Sequence, residues 1–331
     1  MPSFSASVPD DYSGTIRLDK YIASIPNGMN RSKLKAGFTE ILLNGKNAKL
    51  SAKVQAGDTI EIQWEENIPT DILPEDIPLD IIYEDKNVTV VNKKAGMVTH
   101  PANGNWTGTL VNALLYHWGR EAVHASAEGP VSEILARRRP GIVHRLDKDT
   151  SGIIITAKNR DAEEWLHNQF TARSSITKEY IAICTGLPKE RAGKIETQIV
   201  RDPKDRKKFK AVTGTSEGKY ACTIYRVIAT YGTYSLVRLR IKTGRTHQIR
   251  VHMKHIGCPI LGDVLYGKKV SETIFKNHSV QLMLHAFFLR IVLPNEQEPT
   301  VFKTRTPLRF KKAVRFLREA GLSHIDFVEG R

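Results

Sequence analysis

Between Arg139 and Ile155 the chain passes from a run of charged and turn-forming residues into three consecutive isoleucines, Ile153–Ile155. β-Branched residues in a row favour an extended, packed segment. A fold that accepts this sequence must hold a polar loop against the end of a buried strand. The loop reads Arg139-Pro-Gly-Ile-Val-His-Arg-Leu-Asp-Lys-Asp-Thr-Ser-Gly152 and spends His144, Arg145, Asp147, Lys148 and Asp149 within six positions. Solubility alone rarely asks for that density at a surface turn. A carboxylate such as Asp147, set among fixed cations, is a candidate for chemistry.

At 331 residues the chain is long enough for a sizeable core and for two domains. Its 40% hydrophobic and 26% charged residues fit a folded globular protein. No apolar run reaches the ~18 residues that a membrane span needs, and Met1–Asp11 lacks the basic start and apolar centre of a secretory leader. Cys184, Cys222 and Cys258 are widely spaced, with neither a disulfide framework nor a metal clip among them. The expectation is a reducing cytoplasm and no membrane partner. Lysine and arginine number 50 against 35 acids, a net charge of +15. Such an excess favours a polyanionic partner, because clustered cations release counterions from a phosphate backbone. A merely basic globular protein is the alternative, and the distribution of charge decides between them.

Residues 14–64 read as a separate unit. Leu18, Tyr21, Ile22 and Ile25 recur at helical spacing. Asn30 is placed to cap a second short helix carrying Arg31, Lys33 and Lys35, with Gly37 as its stop. Ile41–Leu43 and Thr59–Gln63 read as strands, with Asn44-Gly45 and Gly57-Asp58 as turns. Residues 65–85 hold eight acids, no base and three prolines. That composition predicts an extended linker over 65–78 and concentrates the positive charge on the flanking domains. From 79 to 320 the chain is a β-rich mixture. Asn87–Val91, Gly152–Thr156, Glu179–Cys184, Ala221–Tyr225 and Ser235–Ile241 read as strands, Thr109–Trp118 and Asp161–Gln169 as helices. Residues 119–138 lack periodicity and read as a flexible insertion.

Further segments join the 139–152 stretch: Asn92-Lys-Lys-Ala-Gly96 with His100-Pro101, Thr177-Lys-Glu-Tyr180, Lys242-Thr-Gly-Arg-Thr-His-Gln-Ile-Arg-Val-His252, Pro259-Ile-Leu-Gly-Asp263 and Leu284-His-Ala286. Together they resemble the RluA-type pseudouridine synthases over nearly all of residues 79–295, most specifically in the fourteen residues 139–152. Lys94 stands where that family commonly has proline. Arg17-Leu-Asp-Lys20, Asn30-Arg-Ser-Lys33, Asn44-Gly45 and Ala56-Gly-Asp-Thr-Ile60 resemble the S4 RNA-binding fold, which points to the branch acting on large-subunit ribosomal RNA. The resemblance implies an α+β protein. A mixed, mainly antiparallel-sheet catalytic domain (79–320) would follow a small S4-like α/β RNA-binding domain (14–64). The implied activity is isomerisation of uridine to pseudouridine in structured RNA, ribosomal RNA ahead of transfer RNA. The reaction so implied requires no cofactor, metal or protein partner, and a monomer is the default expectation.

This reaction breaks the N1–C1′ bond, turns the base and rejoins it through C5, so nothing is added or removed. It asks for one ionised carboxylate against a flipped-out nucleotide. The resemblance gives that part to Asp147, which either attacks C1′ or abstracts the 2′ proton; the sequence leaves both routes open. It gives Arg250 the task of keeping the carboxylate charged in a dry pocket, for which a guanidinium is suited. Strand-like alternation predicts Thr246, Gln248 and Arg250 on one face, with His247, Ile249 and Val251 on the other. Tyr180 is the implied stacking face for the uracil and Arg145 the residue that fills the gap left in the RNA stack. Two basic stretches are candidate phosphate contacts: Arg201–Lys210, with six bases and two acids, and Lys303–Arg318, with seven bases and no acid, in an apparent helix whose apolar side is Phe310, Val314 and Leu317.

Each of these residues has a plainer reading. Asp147 by itself is a turn or cap residue, Arg250 a surface ion pair, Tyr180 a core aromatic and Arg145 a solvated loop cation. His247, His252 and His255 lack the carboxylates or cysteines of a metal set and read as structural. At the level of the whole chain, a non-catalytic RNA-binding or assembly factor and a carboxylate-dependent glycosylase are the rivals to an isomerase.

Overall fold

The computed structural model describes residues 3–25, 40–63, 71–102, 104–120, 123–124, 140–172, 176–267 and 280–326. They form two compact units, Met1–Thr70 and Asp71–Arg331.

The first unit contains β1 (Ser3–Ser7), β2 (Ile16–Arg17), α1 (Leu18–Ser24), β3 (Glu40–Leu43), β4 (Lys46–Asn47), β5 (Lys53–Val54) and β6 (Thr59–Gln63). Helix α1 buries Leu18, Tyr21 and Ile22 in one cluster with Ile41, Ile60 and Ile62 of the sheet. Its helical spacing is therefore realised as a packed face. Asn44 and Gly45, at φ 54° and 72°, make the tight turn between β3 and β4. The unit also takes in residues ahead of position 14, because β1 pairs along the whole of β6. Ser-Phe-Ser-Ala-Ser has little strand propensity of its own, so pairing sets its conformation. The second short helix expected at Asn30–Gly37 lies outside the described residues.

The second unit begins at β7 (Asp71–Ile72) and continues through β8 (Ile81–Glu84), β9 (Val88–Lys93), α2 (Leu110–His117), β10 (Val123–His124), β11 (Ser151–Ala157) and α3 (Arg160–Ala172). Then come β12 (Thr177–Thr185), β13 (Ala192–Arg201), β14 (Phe209–Val212), β15 (Lys219–Tyr231), β16 (Tyr234–Ile241) and α4 (Gln248–His255). The chain ends with β17 (Leu284–Val292), β18 (Pro299–Lys303), α5 (Leu308–Glu319) and β19 (His324–Asp326). Residues 71–78, in the segment read as a linker, run extended against this unit: β7 pairs with β10, and Glu75 accepts the Gly108 amide. Of the expected insertion, residues 121–122 and 125–139 lie outside the described residues, Arg137-Arg-Arg139 among them.

Eleven strands form one sheet, in the order β14-β13-β15-β16-β12-β17-β11-β9-β8, with β18 on β17 and β19 on β15. Its pairings are antiparallel except where β11 meets β17. The fold is thus the expected α+β type with a mainly antiparallel sheet. The three isoleucines of β11 explain themselves here. Ile153 and Ile155 enter a cluster with Leu166 of α3, while Ile154 faces Leu110 and Leu114 of α2. A strand covered by helices on both faces needs apolar side chains at every position.

The loop ahead of β11 is tied down at both ends by glycines. Gly152 (φ 120°) lies so close to the parallel neighbour that a Cβ would fall 2.1 Å from the Ala286 carbonyl oxygen. At Gly141 (φ 72°) a Cβ would fall 2.2 Å from the Ala157 carbonyl oxygen. Between them the loop is held by a buried ammonium at the end of β9. Lys93 Nζ donates to the carbonyls of Lys94 (3.0 Å), Met97 (2.8 Å) and Lys148 (3.1 Å). Burial pulls its pKa down to about 7, against the charges of Asp147 and Asp149. Three carbonyl acceptors match the three protons of the charged form. Lys94 contributes its main chain to this knot, and its own side chain is exposed.

Removing the ammonium takes one donor from each of three carbonyls, of which those of Lys148 and Lys94 keep the Gly96 and Met97 amides, so Lys93→Met is expected to lower the stability of the second unit by about 2–3 kcal/mol; chemical denaturation measures it, and an unchanged midpoint would refute the anchoring role. Acidification has its own effect. His252 lies between Thr197 and Thr223, and His285 between Ser151 and Thr304. Burial lowers both from 6.5 to about 4. The folded state then binds fewer protons than the unfolded chain in this window, so stability should fall as pH drops from 6.5 towards 4. A denaturation series across that range checks the direction.

Candidate active site

Asp147 sits on the anchored loop. Thr99 Oγ1 donates to the Leu146 carbonyl at 2.8 Å, and the Thr150 amide donates to the Asp147 carbonyl at 3.1 Å. His144 accepts the Ile155 amide at Nε2 (3.0 Å) and stacks on Phe170 with ring centroids 4.5 Å apart. Burial lowers the His144 pKa to about 3, so the ring is neutral and structural. Arg145, between these anchored neighbours, is exposed.

The partner of Asp147 comes from α4. Arg250 directs one edge of its guanidinium at Asp263, with Nε to Oδ2 at 2.7 Å and Nη2 to Oδ1 at 2.9 Å. Its remaining nitrogen, Nη1, reaches Asp147 Oδ2 at 3.3 Å. Burial by itself would lower the Arg250 pKa, but the two carboxylates raise it above its ordinary value. Burial would raise Asp263, yet Arg250 and the amides of Leu265 and Tyr266 hold it below the usual carboxylate range. A bidentate pair of this kind fixes direction as well as charge.

Arg250 lies on a helix, not on the expected strand. The period shows why. Gln248 and His252, one turn apart, both bond Thr223, at 3.0 and 2.9 Å. Ile249 and Met253, also one turn apart, enter the same core cluster. Alternation over so short a segment suits either structure, and packing chose the 3.6-residue repeat. The pairing of Arg250 with Asp147 survives the change.

Tyr180 lies on β12 beside a break in register between Glu179 and Tyr180 against β17, an irregularity that re-aims side chains. It is buried, and burial, with the charge of Asp147, raises its phenol pKa, so it stays protonated. Asp147, Arg145, Tyr180 and Arg250 line one cavity of about 260 Å³, with His247 and Lys178 also on its wall. All four residues singled out in the sequence therefore meet, from three separate segments. Asp263 and His247 were present in the quoted segments without a role; only spatial proximity assigns them one. Arg201, Lys204, Arg206 and Lys207 are exposed on the β13–β14 hairpin. Within the other basic stretch Arg309 turns inward instead, with Nη2 at 2.6 Å from Ser151 Oγ. Among the described residues no helix is long and apolar enough to cross a membrane, and no group of three or more His, Cys, Asp or Glu could hold a metal ion.

Such an arrangement can bind a polar, planar group between Tyr180 and a carboxylate with a fixed cation behind it. The model of the RNA pseudouridylate synthase family matches residues 87–255. An uncharacterized RNA pseudouridine synthase of Chlorobaculum parvum is 42% identical over 306 residues, covering 88% of this chain and 91% of that protein. Ribosomal large subunit pseudouridine synthase D of Borreliella burgdorferi is 43% identical over 282 residues, 83% of this chain and 82% of its own. Among solved structures, human RNA pseudouridylate synthase domain containing 1 superposes with a TM-score of 0.56 at 27% identity, covering 77% of this chain and 92% of that one. A catalytic sheet with this loop, and relatives matched over most of their length, carry the same conclusion: the chain belongs to the RNA pseudouridine synthase family and is an isomerase of uridine in RNA.

Proposed function

We propose that the chain converts uridine to pseudouridine in large-subunit ribosomal RNA, with Asp147 as the catalytic carboxylate. The observation that carries this reading is the meeting of Asp147, Tyr180, Arg145 and Arg250 around one cavity. The named specificity of the Borreliella burgdorferi relative supports ribosomal over transfer RNA. So does the S4-like pattern of the first unit, which we read as an RNA-binding domain. The reaction needs no cofactor, and the proposed setting is the cytoplasm, as a monomer.

The target nucleotide leaves its stack and enters the cavity, at a cost of a few kcal/mol. Arg145, exposed beside the carboxylate, takes the vacated place in the RNA. Tyr180 stacks on the uracil, a contact worth roughly 1–3 kcal/mol. Asp147 then acts at the sugar, by attack on C1′ or by removal of the 2′ proton. In both routes the N1–C1′ bond breaks and the base turns while held; C5 then bonds to C1′ as the Asp147–C1′ bond breaks or, in the other route, as the 2′ proton is returned, and the C5 proton is lost as N1 gains one. Arg250 supplies the opposite charge to Asp147 throughout, and Asp263 holds Arg250 in place.

Tritium release from transcripts of large-subunit ribosomal RNA and of transfer RNA made with 5-tritiated uridine tests both parts. The ribosomal transcript should be the better substrate; exclusive action on transfer RNA would overturn that choice. Asp147→Ala should still bind RNA while its turnover falls by at least about 10⁴-fold, and detectable isomerisation at near-normal rates would remove Asp147 from its role. Release of free uracil would instead indicate a glycosylase. Arg250→Lys keeps a charge but cannot serve Asp263 and Asp147 together, so its kcat should fall by about 10- to 100-fold with RNA affinity little changed.

A further inference from the structure

His247 is one of three non-glycine residues with positive φ among the described residues, and the other two, Asn44 and Asn295, are asparagines. Its backbone, at φ 55° and ψ 18°, is left-handed immediately before α4. Asparagine adopts that conformation with ease, histidine less so, and such backbones gather at sites where a side chain must be aimed. The imidazole is gripped edge-on by Phe209 and Tyr266, with centroids 5.8 and 5.5 Å away.

The hydrogen bonds around the ring favour one of its nitrogens as the proton's place. The Phe209 amide can only donate, and it donates to Tyr266 Oη at 2.9 Å. With that lone pair taken, we assign Tyr266's own proton to His247 Nδ1, 2.8 Å away. A neutral ring that accepts at Nδ1 carries its hydrogen on Nε2. That nitrogen points at Asp147, 3.9 Å from Oδ2. Arg250 reaches the same oxygen, so both donors address Oδ2 and leave Oδ1 clear of them. Burial holds the imidazole pKa below its ordinary value, against the pull of Asp147. The ring thus adds an N–H dipole to a site where one guanidinium already faces two carboxylates, without adding a second full charge.

We propose that His247 is a positioning residue for the isomerisation: its Nε2–H, aimed by Tyr266, closes on Asp147 Oδ2 when the nucleotide binds and presents Oδ1 to the sugar. The present separation is longer than a hydrogen bond, as catalytic contacts often are before substrate arrives. The inference rests on Asp147 being the catalytic carboxylate.

The test uses the full-length enzyme and whichever tritiated transcript the wild type turns over. His247→Gly suits the left-handed backbone, so its melting temperature and RNA affinity should stay near those of the wild type while kcat falls about 10- to 100-fold. His247→Asn, equally at ease in that backbone, serves as a second variant and should show the same loss. Tyr266→Phe removes the hydroxyl that sets the tautomer and should cost less, about three- to tenfold. Because both act through one contact, the double variant His247→Gly/Tyr266→Phe should be no slower than His247→Gly. A kcat within twofold of wild type in His247→Gly, a loss confined to KM, or losses that multiply in the double variant would overturn the inference. Asp147→Ala, measured alongside, separates the two failures: if it is inactive while His247→Gly is normal, only the part given to His247 falls.

Discussion

A guanidinium buried beside a carboxylate needs its charge answered and its orientation fixed, and at Arg250 one neighbour does both. Asp263 occupies two of the three nitrogens in a bidentate pair, which leaves Nη1 with a single direction, towards Asp147. Asp263 is itself held by the amides of Leu265 and Tyr266, so the turn after Gly262 sets the aim of a residue on a different element. Burying a cation with only a distant partner costs several kcal/mol. With Asp263 in place the charge at Asp147 is answered by a group that is already immobile, and little reorganisation is left for the reaction.

The same constraint acts from the other side of the cavity. Asp147 is useful to Arg250 only if its loop cannot drift. Gly141 and Gly152 allow that loop to press against the backbones of Ala157 and Ala286, and Lys93 ties it to β9 through the Lys148 carbonyl while holding the Lys94 and Met97 carbonyls of the turn after β9. The loop thus ends in the large sheet, where β11 is buried on both faces. Catalytic geometry set by loops is precise when the loops themselves have no freedom.

Much of this was legible in the residues. The isoleucines of β11, the helical spacing in α1, the Asn44-Gly45 turn and the strands around Tyr180 and Leu239 follow from local pattern. Other elements did not stand out. β13 alternates Ile195, Thr197 and Ile199 inward, yet Lys194, Glu196 and Gln198 on the other face dilute the apolar signal. At 246–252 a short polar run with scattered apolar residues fits a strand and a helix alike. Its helix forms because Thr223 and the core cluster both lie on the side that a 3.6-residue turn presents.

By itself the sequence determined the buried strand at Ile153–Ile155 and the β-rich character of the chain, which depend on local propensity, and, through the family its segments resemble, the short set of side chains able to do chemistry. Tertiary structure alone decided which of them touch. Asp147 and Arg250 are separated by 103 positions, and nothing local links them. Asp263 and His247 gained their partners the same way. The tautomer of His247 depends on the amide of Phe209, delivered by a distant hairpin. Hydrogen-bond direction is a property of three-dimensional neighbours, and no residue carries it along the chain.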